Sequence, residues 1–150
     1  MEDIKQELYK LCQDYLQRRI GAAQDAIEAA QHAANSETKS SSGDKYETGR
    51  AMMQLEIEKN AVQLSESMKL KHALDQVRIE VPSRSVQTGS LVITNRGVFF
   101  IAISLGRVTL HDKAYLVMSP ASPLGQKMLG LVAGDSVLFK DHKYIVQELR

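Results

Sequence analysis

The sequence predicts an α+β fold in which a long antiparallel coiled-coil hairpin, residues 1–77, precedes a small α+β domain, residues 78–150. Two stretches of roughly 30 residues each carry apolar residues at three- and four-residue steps, as amphipathic helices do. After Val81-Pro82 the spacing becomes that of strands and tight turns. The net charge changes sign at the same place. Residues 1–77 contain 10 Lys/Arg and 13 Asp/Glu, and residues 78–150 contain 9 Lys/Arg and 5 Asp/Glu.

The first predicted helix has one apolar stripe and an alanine-rich second half. The stripe consists of Ile4, Leu8, Leu11, Tyr15, Ala22, Ala26, Ala29 and Ala33. Alanines on a helix face permit close approach of a second helix, so they predict a slim pair. The pattern ends at Asn35-Ser36, where a Ser/Thr/Gly-rich segment indicates a loop.

The second predicted helix follows this loop, with Asp44 or a neighbouring serine as its N-cap. Its stripe consists of Met53, Ile57, Ala61, Leu64 and Met68, and the pattern fades near Leu74-Asp75. Neither stripe has another partner along the chain, so an antiparallel coiled coil is the economical arrangement. At 1.5 Å per residue such an arm extends about 45–50 Å.

The C-terminal part predicts a small sheet with one helix. A strand at residues 91–94, the turn Asn95-Arg96-Gly97 and a strand at residues 98–103 form a hairpin. Further strands are predicted at residues 108–110, 114–118, 136–139 and 144–149, with turns at Gly134-Asp135 and Asp141-His142. A short helix opens with Ser122 as N-cap and Pro123 at its first position.

Residues 43–47, called the acidic tip below, carry two carboxylates where the two helices join. Asp44 and Glu47 are three residues apart, so both can face one ion from one side of a helical turn. The same spacing also fits a capping box, in which Asp44 caps the helix and the Glu47 side chain accepts a hydrogen bond from the backbone N–H of the cap residue. The two roles are compatible, because a capped helix end still presents carboxylates.

Two segments of the chain resemble segments of the Gre transcript-cleavage factors of bacterial RNA polymerase, and they occur in the same order. Gly43-Asp44-x-x-Glu47 resembles the Gly-Asp-x-x-Glu element at the end of their helical hairpin. The C-terminal segment of these factors contains Ser-Pro, a short helix, Leu-x-Gly and Gly-Asp-x-Val in that order. Residues 119–130, followed by Gly134-Asp135-Ser136-Val137, look like this segment. The resemblance implies that residues 78–150 adopt an FK506-binding-protein-like (FKBP-like) fold and dock on the polymerase.

The resemblance also implies a function as an accessory factor rather than a free-standing enzyme. The hairpin enters the secondary channel, and Asp44 and Glu47 help hold a Mg²⁺ ion that is shared with the polymerase and not bound stably by the factor alone. That ion serves cleavage of backtracked RNA at its 3′ end. The expected partner-binding residues are Lys45, Tyr46, Ser122, Pro123, Leu124 and Gly125.

Departures from the family pattern favour a divergent, Gre-like branch. Glu47 is followed by Thr48-Gly49-Arg50-Ala51 where the family has Asn-Ala-Glu-Tyr, and the approach from residue 35 to 42 is serine-rich. The alternative function is therefore a regulator that occupies the secondary channel without stimulating cleavage. A prolyl isomerase built on the C-terminal fold and a coiled-coil adaptor without a polymerase link are the other hypotheses.

Other sequence features predict a monomeric, cytoplasmic protein without a membrane segment. Cys12 is the only cysteine and lies in a helical pattern, which predicts a packing residue in a reducing compartment. His32, His72, His111 and His142 lack the spacing of a zinc site. No apolar run approaches the ~20 residues of a membrane span.

Overall fold

The computed structural model describes residues 3–37 and 43–150 and is mixed α+β, as the sequence predicts. The helices are α1 (Ile4–Glu37), α2 (Gly43–Asp75) and α3 (Pro123–Met128). The strands are β1 (Leu91–Thr94), β2 (Gly97–Ile101), β3 (Gly106–Leu110), β4 (Lys113–Met118), β5 (Ser136–Phe139) and β6 (His142–Leu149). None of the described helices combines the length and apolar character needed to cross a membrane.

The chain forms two compact units, and both long helices contribute to each. A helical unit comprises residues 14–72, the greater part of α1 and α2. A sheet unit comprises residues 73–150 together with residues 3–13, the first turns of α1.

In the helical unit, α1 buries positions one residue away from part of the predicted stripe. Leu16, Ala23 and Ala30 are buried at seven-residue steps, whereas Ala22 and Ala29 are exposed, so these two positions were predicted wrongly. Seven-residue steps place these three residues on one side of the helix. The sequence allowed either stripe because alanines occur in adjacent pairs at 22–23 and 29–30.

In α2 the predicted stripe is correct at Met53, Ile57 and Leu64, which are half-buried, and wrong at Ala61 and Met68, which are exposed. Asn60 and Ser67 are the less exposed residues in their place. Ser67 Oγ is buried, and it makes no hydrogen bond within the described part of the chain. A buried hydroxyl without a hydrogen bond lowers stability.

The six strands form one sheet in the order β3-β4-β2-β1-β6-β5. Every neighbouring pair is antiparallel except β2 with β4, which is parallel with Phe99 opposite Leu116. Residues 98–101 of β2 are all buried, as expected for a central strand covered on both faces. The edge strands β3 and β5 alternate between half-buried and exposed residues, so each has one face toward solvent.

Two tight hairpin turns have left-handed residues that are not glycine. His111 and Asp112 join β3 to β4 with φ of 51° and 61°, and Lys140 and Asp141 join β5 to β6 with φ of 48° and 65°. Positive φ at both central residues defines the type I′ turn, whose twist matches that of the strands. The turn predicted at Asp141-His142 thus lies one residue earlier, and His142 begins β6.

One face of the sheet holds a compact apolar core. Its buried members are Val86, Val92, Phe99, Ile101, Met118, Met128 and Val146. Leu116, Leu124 and Tyr144 are partly buried and pack against this cluster. The core therefore connects α3 to strands β1, β2, β4 and β6.

The first turns of α1 are tied to the rest of the sheet unit by buried apolar residues and polar contacts. Leu8, Cys12 and Leu74 are at most 1% exposed. Tyr9 Oη donates a hydrogen bond to the Leu74 carbonyl at 3.0 Å, and Glu7 Oε1 lies 2.8 Å from His111 Nε2 in the β3–β4 turn. Burial also raises the pKa of the Cys12 thiol to about 11.

We expect the Cys12 thiol to react with a disulfide reagent such as Ellman's reagent only when the protein unfolds. With a pKa of about 11, roughly one thiol in a thousand is ionised at pH 8, and the native fold covers the sulfur. Native protein should react at its unfolding rate and urea-unfolded protein at once. A Cys12→Ala/Ser104→Cys variant, with its thiol at an exposed position, is the matched control. Rapid labelling of the native wild type would contradict the burial.

Candidate functional site

The acidic tip lies at the end of the helical unit where α1 and α2 are joined. Helix α2 begins at Gly43, so Asp44 lies inside the first helical turn rather than at the N-cap. Glu47 is exposed one turn into the helix. The side chains of Asp44, Lys45 and Tyr46 lie outside the described residues, as do residues 38–42.

A polar cavity of about 460 Å³ lies between the two helices close to the acidic tip. Gln31, Ala34 and Asn35 of α1 and Arg50, Gln54 and Ile57 of α2 line it. Arg50 follows Glu47 by three residues, so the two side chains are neighbours on the helix surface. In the sequence Arg50 stands out only as a departure from a motif, and the cavity itself is not predicted. The polar residues Gln31, Asn35 and Gln54 near the loop end of both stripes were the signal that could have indicated it.

The remaining predicted partner-binding residues form a compact turn at the start of α3. Ser122 Oγ donates a hydrogen bond to the Ser119 carbonyl at 2.7 Å and accepts one from the Gly125 amide at 3.1 Å. Ser122 is thus the N-cap that the sequence predicts, with Pro123 at the first helical position. Gly125 is buried, and a Cβ there would lie 2.3 Å from the Ser119 carbonyl oxygen.

These four residues differ in what they offer to a partner. Pro123 is exposed and Leu124 is half-buried, so both present apolar surface. Ser122 and Gly125 instead use their polar atoms and their shape to close the turn.

A second cavity, of about 260 Å³, lies in the sheet unit next to Leu124. Arg96 and Arg107 line it together with Phe99, Tyr115 and Tyr144. Neither arginine is predicted as a site residue from the sequence. Arg96 is in the β1–β2 turn and Arg107 is in the edge strand β3, and only strand pairing brings them to one cavity.

Among the described residues, no group of three or more His, Cys, Asp or Glu side chains is placed to hold a metal ion. No protein-family model and no curated protein sequence matches this chain. Membership of the Gre family therefore stays a proposal.

We expect Gly125→Ala to lower the free energy of unfolding by about 1–3 kcal/mol, the usual cost of forcing a methyl group into a packed site. The new Cβ would meet the Ser119 carbonyl oxygen at 2.3 Å and Ser122 Oγ at 2.7 Å. Urea unfolding followed by circular dichroism measures the change.

Gly21→Ala is the matched control, because Gly21 lies within α1 and a Cβ there meets nothing within 4 Å. This control should raise the free energy of unfolding by up to about 1 kcal/mol through helix propensity. Equal stability of Gly125→Ala and the wild type would show that the turn tolerates a side chain.

Proposed function

We propose that this chain is a Gre-like transcription elongation factor of the cytoplasm that binds bacterial RNA polymerase. In this proposal its coiled coil enters the secondary channel, and Asp44 and Glu47 serve cleavage of backtracked RNA. The observation that carries the proposal is the position of the motif Gly43-Asp44-x-x-Glu47 in the first turns of α2, the second of two helices of 34 and 33 residues.

The contacts of the helical unit support an antiparallel hairpin. Arg19 Nη2 of α1 donates a hydrogen bond to Gln63 Oε1 of α2 at 2.9 Å. Further along α1, Gln31 lines a cavity with Gln54, which lies earlier in α2. Later positions in one helix thus meet earlier positions in the other. At 1.5 Å per residue each helix extends roughly 50 Å, and in this proposal the two helices form the part that enters the channel.

The acidic tip fits a shared Mg²⁺ site by its chemistry. Carboxylate oxygens are the ligands that Mg²⁺ prefers, and the ion usually takes only one or two of them from a protein. Glu47 is exposed and therefore free of any burial that would hinder its approach to a second molecule. Two carboxylates make a weak site alone, so the complete site would form only in the complex. When bound there, the metal would help activate water and stabilise the leaving oxygen.

In the proposed complex the FKBP-like domain, residues 78–150, docks on the polymerase. Pro123 and Leu124 supply apolar surface for this contact, and Ser122 and Gly125 fix the shape of the turn that presents them. Lys45 and Tyr46 of the acidic tip would contact polymerase or the nascent RNA. The chain acts as a monomeric accessory factor, since the chemistry belongs to the polymerase site.

The test uses a stalled, backtracked elongation complex with labelled RNA and Mg²⁺. We expect the wild-type protein to release short 3′ RNA fragments, and we expect Asp44→Asn and Glu47→Gln each to lower the cleavage rate by at least about tenfold, because each removes a charged ligand. Binding to polymerase, measured in parallel, should be unchanged. Glu58→Gln, which neutralises an exposed acid further along α2, is the matched control.

The outcomes of this test either distinguish the two functions or overturn both. Binding with no cleavage by the wild type would favour the alternative, a regulator that occupies the channel. The segment Thr48-Gly49-Arg50-Ala51, which departs from the family pattern, also favours this alternative. Loss of polymerase binding in the tip variants would contradict a tip that acts mainly through metal. Absence of binding by the wild type would overturn both.

A further inference from the structure

The 260 Å³ cavity of the sheet unit has cationic groups and carries no acidic side chain among its described lining residues. Arg96 and Arg107 both line it and are exposed at its rim. A cavity with two guanidinium groups and no carboxylate favours an anionic occupant, because each guanidinium presents several N–H donors in a planar fork.

Arg96 is held in place at this rim. Its Nε donates a hydrogen bond to the Lys143 carbonyl at 3.3 Å, and its guanidinium carbon lies 5.8 Å from the centroid of the Tyr144 ring. Nε uses one of the five N–H donors of the side chain, so the two terminal amino groups keep four. A fixed arginine loses less conformational entropy on binding an anion than a free one.

The wall of the cavity is aromatic. Phe99 and Tyr115 are buried and Tyr144 is half-buried, and Leu124 adds an aliphatic contact. Phe99 and Tyr144 meet edge to face with ring centroids 6.0 Å apart. Aromatic side chains stack readily with flat rings of a ligand, at about 1–3 kcal/mol for a nucleobase. The wall therefore suits a planar ring.

The size of the cavity limits the ligand. Its volume of about 260 Å³ lies slightly below the ~300 Å³ at which small-molecule sites begin. One ring system and one anionic group fill such a space, and a larger ligand would extend into solvent.

We propose that this cavity binds a small phosphorylated ligand with a planar ring, of the mononucleotide class. A phosphate monoester carries about −1.5 to −2 charges at pH 7 and three acceptor oxygens, which matches two arginines better than a single carboxylate does. The ring would lie on the aromatic wall while the phosphate meets Arg96 and Arg107. This inference uses the sheet unit alone and does not depend on the proposed function.

The test is a titration of the full chain with adenosine and uridine monophosphates, followed by amide chemical shifts in NMR spectra. We expect saturable binding with shifts at residues 96–99, 107 and 144. Ribose 5-phosphate lacks the planar base and adenosine lacks the phosphate, so each should bind at least about tenfold more weakly, the factor that corresponds to loss of one stacking or charged contact.

Three variants complete the test. Arg107→Gln should weaken mononucleotide binding at least about tenfold, whereas Arg84→Gln, which removes an exposed arginine outside the cavity lining, should leave it unchanged. Ala114→Phe fills the cavity from an exposed lining position and should abolish binding while the NMR spectrum stays that of a folded protein.

Equal affinity for ribose 5-phosphate and the mononucleotides would overturn the proposal, because the site would then recognise only an anion. No saturable shift with either nucleotide at millimolar concentration would overturn it as well. So would equal weakening by Arg84→Gln and Arg107→Gln, which would indicate attraction to net charge alone. None of these measurements uses polymerase, so their results are independent of the test of the proposed function.

Discussion

The sheet unit depends on β2, where residues 98–101 are buried without interruption. Buried backbone groups must find hydrogen-bond partners, so β2 needs a strand on each side. It pairs antiparallel with β1 and parallel with β4. A tight turn cannot connect two parallel neighbouring strands such as β2 and β4. The chain therefore forms β3 at the sheet edge first and then returns as β4. The registers then place Arg107 beside Leu116 and Leu116 beside Phe99. The pairing that covers β2 thereby also builds the wall of the cationic cavity.

The helical unit follows a different constraint, because two helices alone bury little apolar surface. Small residues such as Ala23 and Ala30 occupy the buried positions of α1, and larger ones such as Met53 and Ile57 are half-buried on α2. These buried alanines of α1 are thus smaller than the half-buried Met53 and Ile57 of α2. Toward the acidic tip the residues between the helices become polar and surround a cavity of about 460 Å³. A polar, acidic end is what the proposed insertion into a channel requires.

The two units carry opposite chemistry, and this supports separate roles for them. The acidic tip belongs to the helical unit, while Arg96 and Arg107 belong to the sheet unit. The acids suit a cation shared with another molecule, and the arginines with their aromatic wall suit a small anion. The turn at Ser122 lies beside this wall, since Leu124 both follows the N-cap and lines the cavity. A ligand in the cavity would therefore touch the segment that is proposed to dock on polymerase.

Features that depend on neighbouring residues can be predicted from the sequence alone. Helix α3 begins as predicted, with the Ser122 cap and Pro123, and β1 and β5 have the predicted bounds, because caps, turns and short apolar runs are local signals. Packing selects which of two adjacent alanines in α1 is buried, since both stripes satisfy the same spacing and only contacts with distant residues distinguish them. It also joined residues 3–13 to the sheet unit and brought Arg96 and Arg107 to one cavity. Those arrangements arise from strand register and from contacts between distant residues, and local sequence patterns predict neither of these.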